Sequence, residues 1–263
     1  MLLSVVMPLY NPDLDRFKDC LKSIKHQTFE EFEFIIIDDS DKPDLNKKIL
    51  QNYEFKNFLH HVPDSKLGLA KSLNLGINKS SGEYIARCDS DDLYHHERFD
   101  MQIKFMKDNP DIDMSGTNCK KIDAAGNEIG FRKYPENDLS IKSRMHIFCP
   151  FAHPSIIFRK SFFKKYGLYA EDRDIEDYEL WLRSASMGCR FHNIQLNLVQ
   201  LSVFDINDSS RPRHYYENLK LKIKYFNLNF FFQSLFGIII FSLASFIPHN
   251  VAYKLNKILI PYR

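Results

Sequence analysis

The chain has 263 residues, 44% apolar and 27% charged, the make-up of a globular protein with one large or two small domains rather than a disordered or collagen-like chain. Thirty-six Lys and Arg against 34 Asp and Glu leave a net charge of +2, so no overall basic field points to a nucleic-acid partner. Cys20, Cys88, Cys119, Cys149 and Cys189 are odd in number and contain no C-x-x-C pair, which argues against a zinc module and a disulfide framework and for reduced thiols in a cytosolic compartment.

The opening MLLSVVMPLYN lacks the basic leader and long apolar run of a signal peptide and reads as a strand over 2–7. Leu14, Phe17, Leu21 and Ile24 then recur at helical spacing within 13–25. A second apolar run, 32–37, ends at Asp38-Asp39. A helix over 45–53, a short strand over 57–62 and a helix over 68–80 follow, the last with Leu69, Leu73 and Ile77 on one face. The fourth strand, 83–92, ends in an Asp cluster, and the helix after it, 96–107, is stopped by Asn109-Pro110. Such alternation predicts a parallel sheet with right-handed crossovers. Open α/β sheets bind ligands at the carboxyl ends of their strands, where both acid clusters fall. Beyond residue 110 the pattern is mixed, with short strands at 112–122, 128–134 and 154–159 and a helix over 176–187.

From Arg211 onward the composition changes: eight Lys and Arg stand against Glu217 alone, which leaves the first 210 residues net acidic. Between Lys224 and Lys254 lies FFFQSLFGIIIFSLASFI, 230–247, at the lower length limit for crossing a bilayer. On a helical wheel Leu235, Phe236, Ile239, Ile240, Leu243, Phe246 and Ile247 share one arc, and Gln233, Ser234, Gly237, Ser242 and Ser245 share the other. After Pro248, Val251, Leu255, Ile258 and Leu259 form a second amphipathic piece. Two such pieces with basic flanks predict a helix pair lying at a membrane surface rather than a clean span.

The stretch CDSDDLY, 88–94, puts three carboxylates within four residues. Close like charges raise one another's pKa unless a cation neutralises them, and hard oxygen ligands suit Mg²⁺ or Mn²⁺. A Mg²⁺ held by one or two carboxylates usually completes its shell with phosphate oxygens, so a diphosphate-bearing substrate fits. An acidic cap on the following helix is the plain alternative. An EF-hand is excluded, because its required Gly and Glu positions hold Tyr94 and Asp100. Asp38-Asp39 has a solvated turn as its alternative, and Glu176-Asp177 a helix-capping role.

Taken in order, SVVMPLYN, QTFEEFEFIIIDDSD, GLAKSLNLGI, GEYIARCDSDD, HPSIIFRK and EDYELWLR resemble a family 2 glycosyltransferase of the bacterial surface-polysaccharide type, over about residues 2–190. The resemblance implies an α/β GT-A fold over 1–210, a Rossmann-like, mostly parallel sheet, followed by a basic, Phe-rich, membrane-associating helical tail over 211–263. It implies transfer of one sugar, with inversion, from a nucleotide-diphosphate sugar to a hydroxyl of a glycan or lipid-linked acceptor. Mn²⁺ or Mg²⁺ would assist, and the protein would be peripheral or monotopic on the cytoplasmic face of the inner membrane.

Carried over by position, Pro8, Tyr10 and Asn11 form the first-strand turn beside the nucleotide, Asp39 contacts the base, and Asp38 lies next to it. Asp89 and Asp91 belong to the donor-binding D-x-D-type motif, with Asp91 and Asp92 as the metal pair, although Asp89 with Asp91 is the other possible register. Asp177 is the general base. His153, Glu176 and Trp181 are assigned to the acceptor side, with a strand-end histidine and a core tryptophan as alternatives. His214 is a candidate late metal ligand. Leu73 stands where relatives often carry an Arg before Asn74, which leaves Lys66, Lys71 and Arg87 as candidate cations for the diphosphate. No Q-x-x-R-W motif of processive polymerases is present. Two competing functions are a sugar-phosphate nucleotidyltransferase, which would need a Gly-rich basic loop where PLYNPDLDRF stands, and a non-catalytic, membrane-attached carbohydrate-binding protein.

Overall fold

The computed structural model describes residues 1–123, 125–172, 175–203 and 211–246, with backbone alone at 211–214 and 244–246. The second amphipathic piece of the tail and the side chain of His214 lie outside the described residues.

The four strands expected first are present: β1 Leu3–Leu9, β2 Phe32–Asp38, β3 Phe58–His61 and β4 Tyr84–Arg87. They pair in parallel in the order β3-β2-β1-β4. Their side chains alternate between two core layers. Val5 and Met7 pack with Phe17, Leu21 and Ile24 of α1 (Leu14–Lys25), whereas Val6 and Ile85 face Leu73 and Ile77 of α3 (Leu69–Lys79). Between these helices in sequence, α2 (Pro43–Leu50) crosses from β2 to β3. Pro8 sits inside a central strand, a position usually closed to proline. Even-numbered residues of β1 face β4, as Val6 shows by accepting from the Cys88 N–H at 3.0 Å. Because β4 stops at Arg87, the N–H that Pro8 lacks has no strand opposite it.

β4 is shorter than the sequence predicts, and the Asp89–Asp92 turn is free of the ladder. The two-residue strand β5 (Leu93–Tyr94) comes next, and α4 (Arg98–Asp108) starts two residues later than its spacing implies. The rest of the sheet is mixed. β6 (Met114–Ile122) carries β7 (Glu128–Arg132) antiparallel, and β8 (Ile157–Arg159) lies antiparallel between β4 and β6. A long strand that the sequence reading does not contain, β9 (Phe191–Ser202), runs parallel to β6 and antiparallel to β5. Three helices cover this half: α5 (Asp138–Met145), α6 (Ser161–Tyr166) and α7 (Glu176–Ser186).

The tail forms α8 (Arg211–Lys224) and α9 (Phe231–Phe246). The stretches Tyr215–Lys224 and Leu228–Leu243 bend by 117° about their break. Among the described residues no single helix is long and apolar enough to cross a bilayer; sixteen residues of α9 span about 24 Å, less than a hydrocarbon core of ~30 Å. The polar, small-residue arc of α9 is the one that packs inward. Ser234 is buried, and Gly237 lies so close to the end of α5 that a Cβ there would sit 2.1 Å from the His146 carbonyl oxygen. The apolar arc faces out: Phe232 is 80% exposed and Phe236 51%, with Leu235, Ile239 and Leu243 beside them. Gly237→Ala is expected to push α9 away from the domain and to cost about 1–3 kcal/mol, the range for overpacking a close contact. A melting temperature equal to that of the unaltered chain would show that α9 does not dock there.

Candidate active site

The carboxyl ends of β1, β2 and β4 lie side by side, because Leu9 pairs with Asp38 and Val6 with Arg87. Asn11, just past β1, has φ of 42°, a left-handed conformation that Asn tolerates better than most residues with a side chain. Its N–H donates to Ser40 Oγ at 2.9 Å and its Nδ2 to Asp41 Oδ2 at 2.7 Å, while the Asp41 N–H donates to Asn11 Oδ1 at 2.9 Å. The turns after β1 and β2 are thereby tied together. Tyr10 stands exposed at this edge, with the Lys66 ammonium 5.2 Å from its ring centroid. Lys66 also pairs with Asp41 at 2.8 Å.

The neighbours Asp38 and Asp39 have different surroundings. The Asp39 carboxylate accepts from the backbone N–H of Leu67 at 3.0 Å and of Gly68 at 2.8 Å, which holds the loop before α3 against the end of β2. Asp38, expected beside the donor, is 0% exposed. His60 Nε2 lies 2.9 Å from its Oδ2, Asn46 Nδ2 donates at 3.1 Å, and the Ser40 N–H donates at 3.1 Å. Burial pushes the Asp38 carboxyl up, but the hydrogen bonds from His60, Ser40 and Asn46 outweigh it and hold the group below the ordinary Asp range. Its carboxylate is bonded inside the protein, so Asp38 braces the strand end.

Across β1, the turn after β4 gathers Asp89, Asp91 and Asp92, with one oxygen of each within 4.8 Å of the others. Arg87, 4% exposed, grips Asp89 with two guanidinium nitrogens at 2.6 and 2.5 Å. Asp91 has no ion-pair partner among the described residues. Burial pushes its carboxyl up and the Asp89 charge adds to this. Asp92 is raised well above its ordinary value by burial, then by Asp89 and Asp91. β9 reaches this turn through Ser202, whose N–H donates to Asp92 Oδ1 at 2.9 Å and whose hydroxyl donates to the Asp91 carbonyl at 2.5 Å. Three carboxylates, two of them raised by burial, beside the Arg87 guanidinium form a hard-oxygen donor set that fits a divalent cation such as Mn²⁺ or Mg²⁺.

Asp177 lies in the first turn of α7 and accepts from the Tyr178 N–H at 2.6 Å. Burial pushes its carboxyl up; the Tyr178 N–H and the nearby Arg87 charge oppose this, and the Asp89 charge adds to it. The same guanidinium, after burial, lowers His153, whose Nε2 lies 2.8 Å from the Tyr169 hydroxyl. Arg87 thus links the Asp89–Asp92 turn to Asp177, His153 and Tyr169. Asn74 holds Tyr169 in place: its Nδ2 donates to the Tyr169 carbonyl at 3.0 Å, and the Tyr169 N–H donates to its Oδ1 at 3.0 Å.

Glu176 is buried beside Asp177. Trp181, placed on the acceptor side by the sequence reading, is 0% exposed and packs on Phe151 and Phe158, with the His153 ring edge-on at 5.8 Å. It backs the site from the core and offers no surface to an acceptor. Two contributors escaped the sequence reading: Tyr169, which lies in no motif, and Ser202, which depends on the unexpected β9. Arg87 was in view only as a possible diphosphate cation, and Asp89 has claimed it.

The comparisons agree with this architecture. The profile described as Glycosyl transferase family 2 matches residues 4–167. An amylovoran biosynthesis glycosyltransferase, AmsE of Erwinia amylovora, is 31% identical over 189 residues, covering 71% of each chain. A UDP-Gal:alpha-D-GlcNAc-diphosphoundecaprenol beta-1,3-galactosyltransferase of Escherichia coli is 31% identical over 200 residues, covering 75% of this chain and 73% of that one. Among solved structures, S. aureus TarS 1–349 in complex with UDP-GlcNAc superposes with a TM-score of 0.71 at 18% identity, over 93% of this chain and 73% of that one. This chain spans 45% of the longer TarS chain. The mannosyltransferase PcManGT of Pyrobaculum calidifontis, in complex with GDP-Man and Mn2+, gives a TM-score of 0.64 at 14% identity over 99% of this chain and 81% of that one. The expected GT-A fold is therefore borne out, and both the nucleotidyltransferase and the non-catalytic readings are set aside. The chain belongs to glycosyl transferase family 2, and it is a glycosyltransferase that uses a nucleotide sugar.

Proposed function

We propose that the enzyme moves one sugar, with inversion, from a nucleotide-diphosphate sugar to a hydroxyl of a lipid-linked glycan at a membrane surface. The observation that carries this reading is the approach of Asp177 and the Asp89–Asp92 turn to one buried guanidinium, Arg87, at the sheet edge that also presents Asp39. The base and ribose of the donor lie against Tyr10, Asn11 and Asp39, with Pro8 shaping the strand end beneath them. Asp91 and Asp92 are the residues to hold Mn²⁺ or Mg²⁺, because Asp89 already has both oxygens on Arg87. A divalent ion there supplies neutralisation of the charge that grows on the leaving diphosphate.

Asp177 accepts the proton of the acceptor hydroxyl while that oxygen attacks the anomeric carbon from the face opposite the leaving group. A single displacement inverts the centre. A free Asp, at about pKa 3.9, is a weak base, and the burial that raises Asp177 makes it a better one. His153 stays neutral and, with Tyr169 and Glu176, lines the acceptor side. The lack of the processive motif favours one sugar per encounter.

The outward apolar arc of α9 and its basic flanks support attachment to an anionic bilayer, on the cytoplasmic face of the inner membrane. The Escherichia coli relative named for a diphosphoundecaprenol-linked acceptor supports a lipid-linked substrate here. The neighbours in complex with UDP-GlcNAc and with GDP-Man and Mn2+ support the donor and metal assignments.

In a nucleoside-diphosphate release assay over a panel of donors, Asp177→Asn is expected to lose at least ~10²-fold in kcat while donor binding persists. The unaltered enzyme should lose kcat as pH falls through the raised Asp177 pKa, since only the ionised carboxylate accepts a proton. Near-normal turnover by the Asn variant would remove Asp177 from the role. Asp91→Ala is expected to abolish the metal dependence of donor binding in calorimetry; an unchanged metal titration would sink the metal assignment. The chain should float with vesicles containing anionic lipid, and a Phe232→Ser, Phe236→Ser double variant should not. If the unaltered protein stays behind in the soluble fraction, the surface reading fails.

A further inference from the structure

The helical turn that carries Asp177 is held by the tail. Lys222 of α8 is 2% exposed, and its ammonium donates to the Tyr178 hydroxyl at 2.7 Å and to the carbonyl oxygens of His146 at 3.1 Å and Ile147 at 3.0 Å. The Tyr178 hydroxyl donates onward to the Met145 carbonyl at 2.5 Å, while the Tyr178 N–H donates to Asp177 at 2.6 Å. One residue past α8, the Tyr225 hydroxyl donates to Glu179 Oε1 at 2.8 Å, and Glu179 pairs with Arg183 at 3.0 Å. The two residues that directly follow Asp177 are thus tethered to α8 and to the residue just past it.

A buried ammonium needs a reason. Its three donors are satisfied, but no carboxylate among the described residues pairs with it. The Phe241 and Tyr178 ring centroids lie 4.5 and 5.0 Å from it. Burial pushes the group down to about 7. An apolar side chain of similar length would fill this space without a charge to desolvate but would leave the His146 and Ile147 carbonyls without this donor, so what the lysine adds to packing is directional bonding.

We propose that Lys222 is a positioning residue for the transfer reaction: through Tyr178 it fixes the first turn of α7, so that α8 and the general base are held as one body. This inference rests on the reading of Asp177 as the base. The test uses the full chain with Lys222→Met, and with Tyr178→Phe, which removes only the hydroxyl. Steady-state kcat and donor KM, product-nucleotide affinity by calorimetry, and melting temperature are measured for each, beside Asp177→Asn.

Each variant is expected to lower kcat about 10- to 100-fold, the range for a misaimed group, with donor KM and nucleotide affinity unchanged. The double variant should be no worse than the poorer single one, because both substitutions break one chain of contacts. The proposal is overturned if both variants keep kcat within about twofold of the unaltered enzyme while Asp177→Asn is inactive. It is equally overturned if kcat, nucleotide affinity and melting temperature fall together, as for a general loss of structure. Should Lys222→Met fail to fold, Tyr178→Phe decides alone. Full activity of Asp177→Asn would instead sink the base assignment itself.

Discussion

The charge balance at one edge of the sheet governs the rest of the site. Asp39 follows β2 and Asp89, Asp91 and Asp92 follow β4, and the Asp89 charge adds to burial in raising Asp91, Asp92 and Asp177. Arg87 is the buried cation among them, and it is committed to Asp89 in a two-point pair. Backbone N–H groups do part of the remaining work, from Leu67 and Gly68 on Asp39 and from Ser202 on Asp92. Asp91, Asp92 and Asp177 are left with raised proton affinities, the first two where a metal would relieve them and the third where the proposed base would use its own. The surplus of negative charge at this edge is what the proposed divalent ion and the proposed base would both draw on.

That surplus needs a rigid frame, and the frame is built from polar side chains that do no chemistry. Asp38, His60 and Asn46 lock the end of β2 from beneath, so the adjacent Asp39 cannot swing. Asn74 clamps the backbone of Tyr169, which in turn meets His153 beside Arg87. Each clamp joins segments far apart in the chain. Asp38, Asn46 and Asn74 each have hydrogen-bond partners, which is what allows such groups to sit inside a core without destabilising it.

The first half of the fold is legible in the sequence because its strands are uniform apolar runs closed by acids. The second half is less so. β9 carries Asn193 on its buried side, bonded to the Pro135 and Pro150 carbonyls, and Gln195 nearby, so neither a run nor a clean alternation announces it. The distinct fates of Asp38 and Asp39 were hidden because neighbouring strand residues point to opposite sides, and nothing local tells which side is solvent. Trp181 had two open readings, and the Phe151–Phe158 packing decides for the core. In α9 the wheel separated the two arcs correctly, yet only the fold reveals that the small, polar arc faces the domain.

The last strand and the first tail helix reach back into the site from beyond the stretch that bears the recognisable motifs. Ser202 at the end of β9 bonds the acid turn, and Lys222 of α8 bonds Tyr178 in the turn that carries Asp177. A polypeptide cut after residue 190 would retain every signature acid and lose both of these supports. The supports of the acid turn and of the Asp177 turn therefore lie beyond the signature, and α8 is packed into the enzyme rather than appended to it.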